Sequence, residues 1–137
     1  MPLTTDEALA FIAANSHAVL ATRRRDGSLQ MSPLNAGVID GEIVISSRLR
    51  LAKVRNIRRE PEVSVLVMTD RFYGRWVQVD GDAEIVDQSQ PGTLDLLVEV
   101  YRAIAGEHPD WDEYRAAMVK DERVVIRIQP RRASGQL

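Results

Sequence analysis

The chain contains no cysteine, which excludes disulfides, thiolate metal sites and cysteine nucleophiles. Its two histidines, His17 and His108, stand far apart without the spacing of metal ligands, and we interpret both as structural residues. No apolar run approaches the roughly 20 residues that span a bilayer. The first residues lack the basic segment of a signal peptide. These absences predict a cytoplasmic protein without a metal site.

Several catalytic motifs are also missing. There is no glycine-rich dinucleotide motif after a strand, no phosphate-loop lysine motif and no serine in a nucleophile elbow. The carboxylates Asp110, Asp112 and Glu113 suit the start of a helix better than acid–base catalysis. A chain with this inventory either binds without catalysis or lets an organic cofactor carry the chemistry.

The length and composition of the chain indicate one globular domain. The chain has 137 residues, of which 45% are hydrophobic and 28% charged, as in ordinary soluble proteins. We assign residues 1–137 to a single domain with its core at about 5–129 and a polar tail at 130–137 that is loose at its end. The net charge of −2 argues against a nucleic-acid-binding domain, which is usually basic.

The pattern of apolar residues and turns predicts a mainly β fold. Two tight turns, Asp26-Gly27 and Asp40-Gly41, separate short apolar runs and indicate an antiparallel meander. A bulge is expected at Asp80-Gly81, and Thr93 is expected to cap a helix. We predict helices at 5–14, 51–59, 93–105 and 111–119, and strands at 17–22, 29–34, 42–46, 63–68, 75–86 and 123–128. Six or seven antiparallel strands with about four short helices favour a closed or half-closed barrel.

The stretch Ser46–Pro61 concentrates positive charge. It reads SSRLRLAKVRNIRREP and holds six of the 18 basic residues within twelve positions. Two hydroxyls that follow an apolar strand and precede a basic helix are a plausible cradle for a phosphate. A solvated basic helix face without a ligand explains the same pattern, and the stretch alone leaves both interpretations open.

Four segments of the chain, taken in order, carry a resemblance to a known family. They are AVLATRRRDGSLQMSPL, the strand that ends in Ser46-Ser47, AKVRNIRREPEVSVLV and RWVQVDGDAEIV. Together they resemble the pyridoxamine 5'-phosphate oxidase-like superfamily of FMN-binding split β-barrels. The segment LVEVYRAIAGEHPDWDEYRAAMVKDERVVIRI is similar to an actinobacterial subgroup of probable F-420-dependent, or deazaflavin, enzymes. The resemblance covers residues 5–129 and implies a split β-barrel.

The family implies a homodimer with a coenzyme groove at the interface between the two copies. Its strand along the coenzyme ring matches Gln30 to Pro33, which offer mostly backbone atoms. Its phosphate-binding lysine matches Lys53, and Trp76 falls where relatives place a polar ring contact. The implied coenzyme-binding residues are Gln30, Met31, Ser32, Pro33, Ser46, Ser47, Arg50, Lys53 and Trp76.

Each of these assignments has a simpler alternative. Ser46 and Ser47 also suit an ordinary turn, Lys53 an exposed position, and Trp76 packing in the core or at a dimer interface. Arg50, or Arg48, would replace an arginine that relatives carry just before the lysine. An aromatic residue at position 76 would stack on the coenzyme or shield it.

The resemblance implies an oxidoreductase in which coenzyme F-420 transfers a hydride to an unsaturated small molecule. F-420 has a phosphodiester and an acidic tail, which suit the basic stretch. Two alternatives share the same site: an FMN-dependent oxidase or reductase, and a non-catalytic carrier of F-420 or FMN. No catalytic residue is assigned, no membrane is involved, and nucleic-acid binding is disfavoured by the acidic total charge.

Overall fold

The computed structural model describes residues 2–137, which form one antiparallel sheet and four helices. The helices are α1 (Thr5–Ala14), α2 (Ala52–Arg59), α3 (Thr93–Ala105) and α4 (Trp111–Lys120). The strands are β1 (Pro2–Leu3), β2 (His17–Arg23), β3 (Leu29–Asn35), β4 (Gly37–Ile39), β5 (Glu42–Arg48), β6 (Glu62–Met68), β7 (Trp76–Val86) and β8 (Arg123–Gln136). Within this range no helix is long and apolar enough to cross a membrane.

The sheet curls into a half-barrel. Its strand order is β3-β2-β6-β7-β8-β5-β4, with β1 paired to the far end of β8. All pairs are antiparallel, and β3 lies alongside β5 without pairing to it. The mainly β split-barrel prediction is therefore confirmed. The two very short strands β1 and β4 were not predicted, because two or three residues give too little pattern to recognise.

Capping hydrogen bonds are present at the start of two of the predicted helices. At α1 the Thr4 hydroxyl accepts a hydrogen bond from the Glu7 amide, and the Glu7 carboxylate accepts one from the Thr4 amide, both at 3.0 Å. Asp110 caps α4 by accepting from the Glu113 amide. The prediction for Thr93 was wrong. Gly92 occupies the cap of α3, and the Thr93 hydroxyl bonds instead to carbonyl oxygens of the preceding loop.

Two apolar clusters hold the fold together. Inside the half-barrel, alternate residues of β2, β5, β6, β7 and β8 are buried with α1 and with Ile57 of α2. On the outer face of β5 and β8, a second cluster packs α3 and α4 against Val44 and Val125. Each fully buried aliphatic side chain stabilises the fold by about 1.5–3 kcal/mol. The helix α2 is thus fixed to one end of the barrel by its apolar side, which leaves its basic side outside.

The tail is part of the sheet, which corrects the expected end of the core at 129. Strand β8 continues to Gln136 and pairs with β7 throughout, while Pro2 and Leu3 pair with Ser134 and Ala133. The predicted irregularity at Asp80-Gly81 is present, but the extra residue is Arg131 of β8. Proline is tolerated at position 130 because a bulge interrupts the ladder of hydrogen bonds there.

Candidate functional site

The edge strand β3 carries four of the nine residues assigned to the coenzyme. Its side chains alternate, so that Met31 and Pro33 face outward while Gln30 and Ser32 face the barrel. Met31 is 60% exposed. Because β3 pairs with β2 alone, one edge of its backbone is hydrogen-bonded to no other strand. Exposed apolar side chains and unpaired backbone groups therefore lie along one edge of the sheet.

Two adjoining grooves lie on the outer face of β3, β2, β6 and β7. The first has a volume of about 560 Å³ and includes Pro33 and Val19 in its lining. The second, of about 440 Å³, includes Trp76. Both are bordered by Met68 and by Phe72 from the exposed loop between β6 and β7. Pro33 and Trp76 consequently share one face of the sheet.

A histidine–aspartate pair lies at the first groove. His17 Nδ1 is 2.6 Å from Asp70 Oδ1, and both side chains are largely exposed. We interpreted His17 from the sequence as structural, whereas here it lines a groove. No sequence signal relates these two residues, because they meet only when β2 and β6 pair.

The arginines of the basic stretch mostly have partners within the protein. Arg50 Nε lies 3.1 Å from Glu122 Oε1, and Arg58 Nη2 lies 2.6 Å from Asp87 Oδ2. Arg55 donates a hydrogen bond to the Arg50 carbonyl oxygen. Arg50 and Arg58 are therefore paired with carboxylates from elsewhere in the chain, and Arg50 would have to leave an exposed ion pair to reach a ligand.

Lys53 differs from Arg50 and Arg58, because it takes part in no ion pair formed by the described residues. Partial burial lowers the pKa of its ammonium group, and the nearby positive charge of Arg123 lowers that pKa further. Two cations close together repel each other, which is destabilising by itself. A bound anion would remove that repulsion.

Three buried polar atoms without partners lie on three different strands. Within residues 2–137 they are Ser32 Oγ of β3, Ser47 Oγ of β5 and Arg123 Nε of β8. Ser47 is only 3% exposed, and its opposite neighbour in β8 is Val124, beside Arg123. Leaving such a group unsatisfied costs about 1–3 kcal/mol. A hydrogen bond to a ligand oxygen at this position would remove that free-energy cost.

The structure separates the two serines of the basic stretch. Successive strand residues point to opposite faces, so Ser46 lies on the face of Val44 while Ser47 lies on the barrel face with Ile45. Ser47 and Lys53 thus belong to one end of the barrel, whereas Ser46 points toward the face that α3 and α4 cover. Arg123 pairs with Arg48 and therefore lies on the same face as Ser46. The residues at this end suit a phosphate-bearing ligand.

A polar network connects β3 to α2. The side chains of Asn56, Thr22 and Gln30 follow one another at hydrogen-bonding distances of 3.1 and 3.3 Å. Thr22 is fully buried and Asn56 is 6% exposed. The strand that carries the outward-facing groove residues is therefore attached to the helix that carries Lys53.

A half-barrel of this topology with a cationic, polar end and an apolar outer groove is the architecture of the flavin-binding split barrels. The family model described as pyridoxamine 5'-phosphate oxidase matches residues 4–136. The chain belongs to this family, and the resemblance read from the sequence is confirmed at that level.

Solved structures agree with this assignment. A conserved hypothetical protein of Mycobacterium tuberculosis is 28% identical, with 98% of this chain and 84% of that chain covered and a TM-score of 0.76. A FAD-binding protein of Mesorhizobium loti is 22% identical over 98% and 95% of the two chains, with a TM-score of 0.71. An F420 reductase is 24% identical over 98% of each chain, with a TM-score of 0.69.

Proposed function

We propose that the protein is an oxidoreductase that binds coenzyme F-420 and uses it to transfer a hydride to an unsaturated small molecule. The observation that carries this proposal is the cationic end of the barrel, where Lys53 takes part in no ion pair formed by the described residues and the Ser47 hydroxyl is buried without a partner. A phosphate group there would neutralise the lysine and accept a hydrogen bond from the hydroxyl. The coenzyme would supply the hydride, while the protein orients it and excludes water.

The choice of F-420 is supported by a relative of the same length. The F420 reductase noted above covers 98% of this chain and is itself covered to 98%. FMN is the alternative coenzyme, because the FAD-binding relative indicates that this fold also accepts ordinary flavins. A yellow protein after purification would favour FMN, and a colourless one would favour F-420.

We further propose that two copies of the chain form a homodimer through the outer face of the sheet. This face exposes Leu29, Met31 and Phe72, the last to 77%, and exposed apolar side chains grouped on one surface mark an interaction site. A second copy would cover these side chains and close the two grooves around the coenzyme ring. The substrate would then enter between the copies.

The decisive experiment is a fluorescence titration of the purified protein with F-420 and with FMN. We expect binding tighter than about 100 μM for at least one of them. Lys53→Ala should weaken this binding about 10- to 100-fold, because a charge-assisted contact contributes about 1.5–3 kcal/mol. The matched control is Lys120→Ala at the end of α4, which removes the other lysine of the chain.

The outcomes separate the candidates. Binding of neither coenzyme rejects the proposal, and equal affinity of the two lysine variants removes Lys53 from the site. A carrier protein would bind F-420 yet fail to oxidise its reduced form. Turnover of reduced F-420 with a panel of quinones and enones therefore distinguishes the enzyme from the carrier.

A further inference from the structure

In the polar network between α2 and β3, the chemistry of the groups fixes which atom of each pair donates the hydrogen bond. Arg59 Nη2 lies 3.0 Å from Asn56 Oδ1, and it also donates to the Arg23 carbonyl oxygen at 2.8 Å. A guanidinium group can only donate hydrogen bonds. The oxygen of the Asn56 amide must therefore face Arg59, which leaves the NH₂ group of Asn56 to face Thr22.

Thr22 accepts one hydrogen bond of this network and donates the next. Asn56 Nδ2 donates to Thr22 Oγ1 at 3.1 Å, so the hydroxyl oxygen is the acceptor of that bond. The single hydroxyl proton of Thr22 is then free to donate to Gln30 Oε1, 3.3 Å away. Because Thr22 is fully buried, no solvent competes for this proton. The oxygen of the Gln30 amide is thereby held toward the Thr22 hydroxyl.

The remaining half of the Gln30 amide is its NH₂ group, with two donors. Within the described structure its one hydrogen bond is a long contact of 3.5 Å to the carbonyl oxygen of Met31. We infer that Gln30 is a dedicated hydrogen-bond donor to an anionic oxygen of the bound coenzyme, and that Thr22, Asn56 and Arg59 are positioning residues that hold it in this orientation. This inference rests on the proposed function.

The position of the network favours the phosphate as the acceptor. Lys53 precedes Asn56 by three residues, which places both on neighbouring positions of one side of α2. Gln30 pairs directly with Thr22 across β3 and β2. A phosphate that contacts Lys53 would therefore lie at the end of the barrel where the Gln30 amide donates. Bonds aligned in one direction also polarise one another, which strengthens the last donor.

The test compares ligands with and without phosphate, by titrating FMN against riboflavin and F-420 against its phosphate-free chromophore. Gln30→Glu replaces the donor with a negative charge, and we expect the phosphate-bearing ligand to bind about 100-fold more weakly. The phosphate-free ligand should change less than about threefold. Gln129→Glu introduces the same charge on exposed β8 and should leave both affinities unchanged.

A second pair of variants tests the positioning residues. Thr22→Val keeps the shape of the side chain but removes the hydroxyl, and should weaken the phosphate-bearing ligand about 5- to 20-fold. Thr22→Ser keeps the hydroxyl and should retain the wild-type affinity. A merely structural role for Thr22 would instead weaken both members of a ligand pair equally.

The possible results are distinguishable from failure of the proposed function. Selective loss of the phosphate-bearing ligand in Gln30→Glu and Thr22→Val supports the inference. If the wild type binds a coenzyme but these variants bind it equally well, or lose both ligands equally, the inference alone is overturned. If the wild type binds no member of either pair, the proposed function and the inference fail together.

Discussion

Asp80 shows how one residue stabilises three strands. Partial burial raises the pKa of this carboxyl, but hydrogen bonds from Ser64, Arg132 and Gln78 outweigh burial and lower the pKa below its ordinary value of 3.8. The donors lie in β6, β8 and β7, at distances of 2.6, 2.6 and 3.2 Å. The ionised form of Asp80 therefore stabilises the sheet beside the bulge.

The first prediction concerns the pH dependence of this contribution. Because the folded-state pKa is lowered, the stabilisation is present above the ordinary value and is lost as the pH falls through the folded-state value. Asp80→Asn should cost about 1–3 kcal/mol at pH 7 and progressively less below about pH 4. Urea unfolding at pH 7 and at pH 3 measures both free energies.

A nearby aspartate supplies the control. Asp82 lies 3.3 Å from Arg131, but both side chains are about half exposed. Asp82→Asn should therefore cost less than about 0.5 kcal/mol at either pH. An Asp80→Asn penalty that is the same at pH 7 and pH 3 would contradict the assigned role of the ionised carboxylate.

At the scale of secondary structure, most elements could be predicted because their signals are local. The capping box at Thr4, the cap at Asp110 and the two aspartyl-glycine turns each act within a few residues. The end of β8 could not be predicted, because the polar sequence PRRASGQ forms a strand only when β7 and β1 lie beside it. Its strand character comes from pairing rather than propensity.

The site was less predictable than the fold. Family resemblance pointed to Lys53 and Trp76, but the residue sequence cannot show which arginines find carboxylates elsewhere in the chain. Glu122 neutralises Arg50 from across a long sequence separation. The Thr22–Asn56 contact likewise depends on α2 folding back over β2. Such contacts depend on how the strands and helices are arranged in the fold. The spacing of residues along the sequence does not show that arrangement.

The second prediction concerns the junction of β7 and β8. A methyl group on Gly81 would overlap the carbonyl oxygen of Gln129 and approach Ile128 Cγ2 to 2.9 Å. Gly81→Ala should therefore push the two strands apart and cost about 3 kcal/mol. Thermal or urea unfolding gives this free energy, and the reduced pairing should also appear as faster amide exchange in residues 129–136.

The control uses a glycine whose strain has a different origin. Gly27 has φ of +87° in the hairpin turn, with open space around the position of a methyl group. Gly27→Ala should cost only about 1 kcal/mol, the penalty for a left-handed residue with a side chain. If Gly27→Ala costs as much as Gly81→Ala, close approach of the strands is not the cause.

At the scale of the whole molecule, the third prediction tests the homodimer. Met31→Asp places a charge on the exposed edge strand and should shift the mass in solution from twice 15.4 kDa toward the monomer value. Light scattering coupled to size exclusion measures the mass. Coenzyme affinity should fall in parallel, because the proposed groove needs both copies.

Val119→Asp is the matched control for the dimer. Val119 is 53% exposed on α4, on the helical side of the molecule away from β3. This variant should keep the wild-type mass. A wild-type protein that is monomeric at micromolar concentration, with or without coenzyme, would reject the dimer.

Because the chain contains few lysines, chemical labelling of lysine side chains can report on the candidate site. Lys53 and Lys120 are the two lysines of the chain, and the lowered pKa of Lys53 increases its share of the nucleophilic neutral amine. Acylation followed by peptide mass mapping would therefore report whether a ligand occupies the cationic end of the barrel. A phosphate-bearing coenzyme should protect Lys53 and leave the labelling of Lys120 unchanged, which allows unknown ligands to be screened without any knowledge of the reaction.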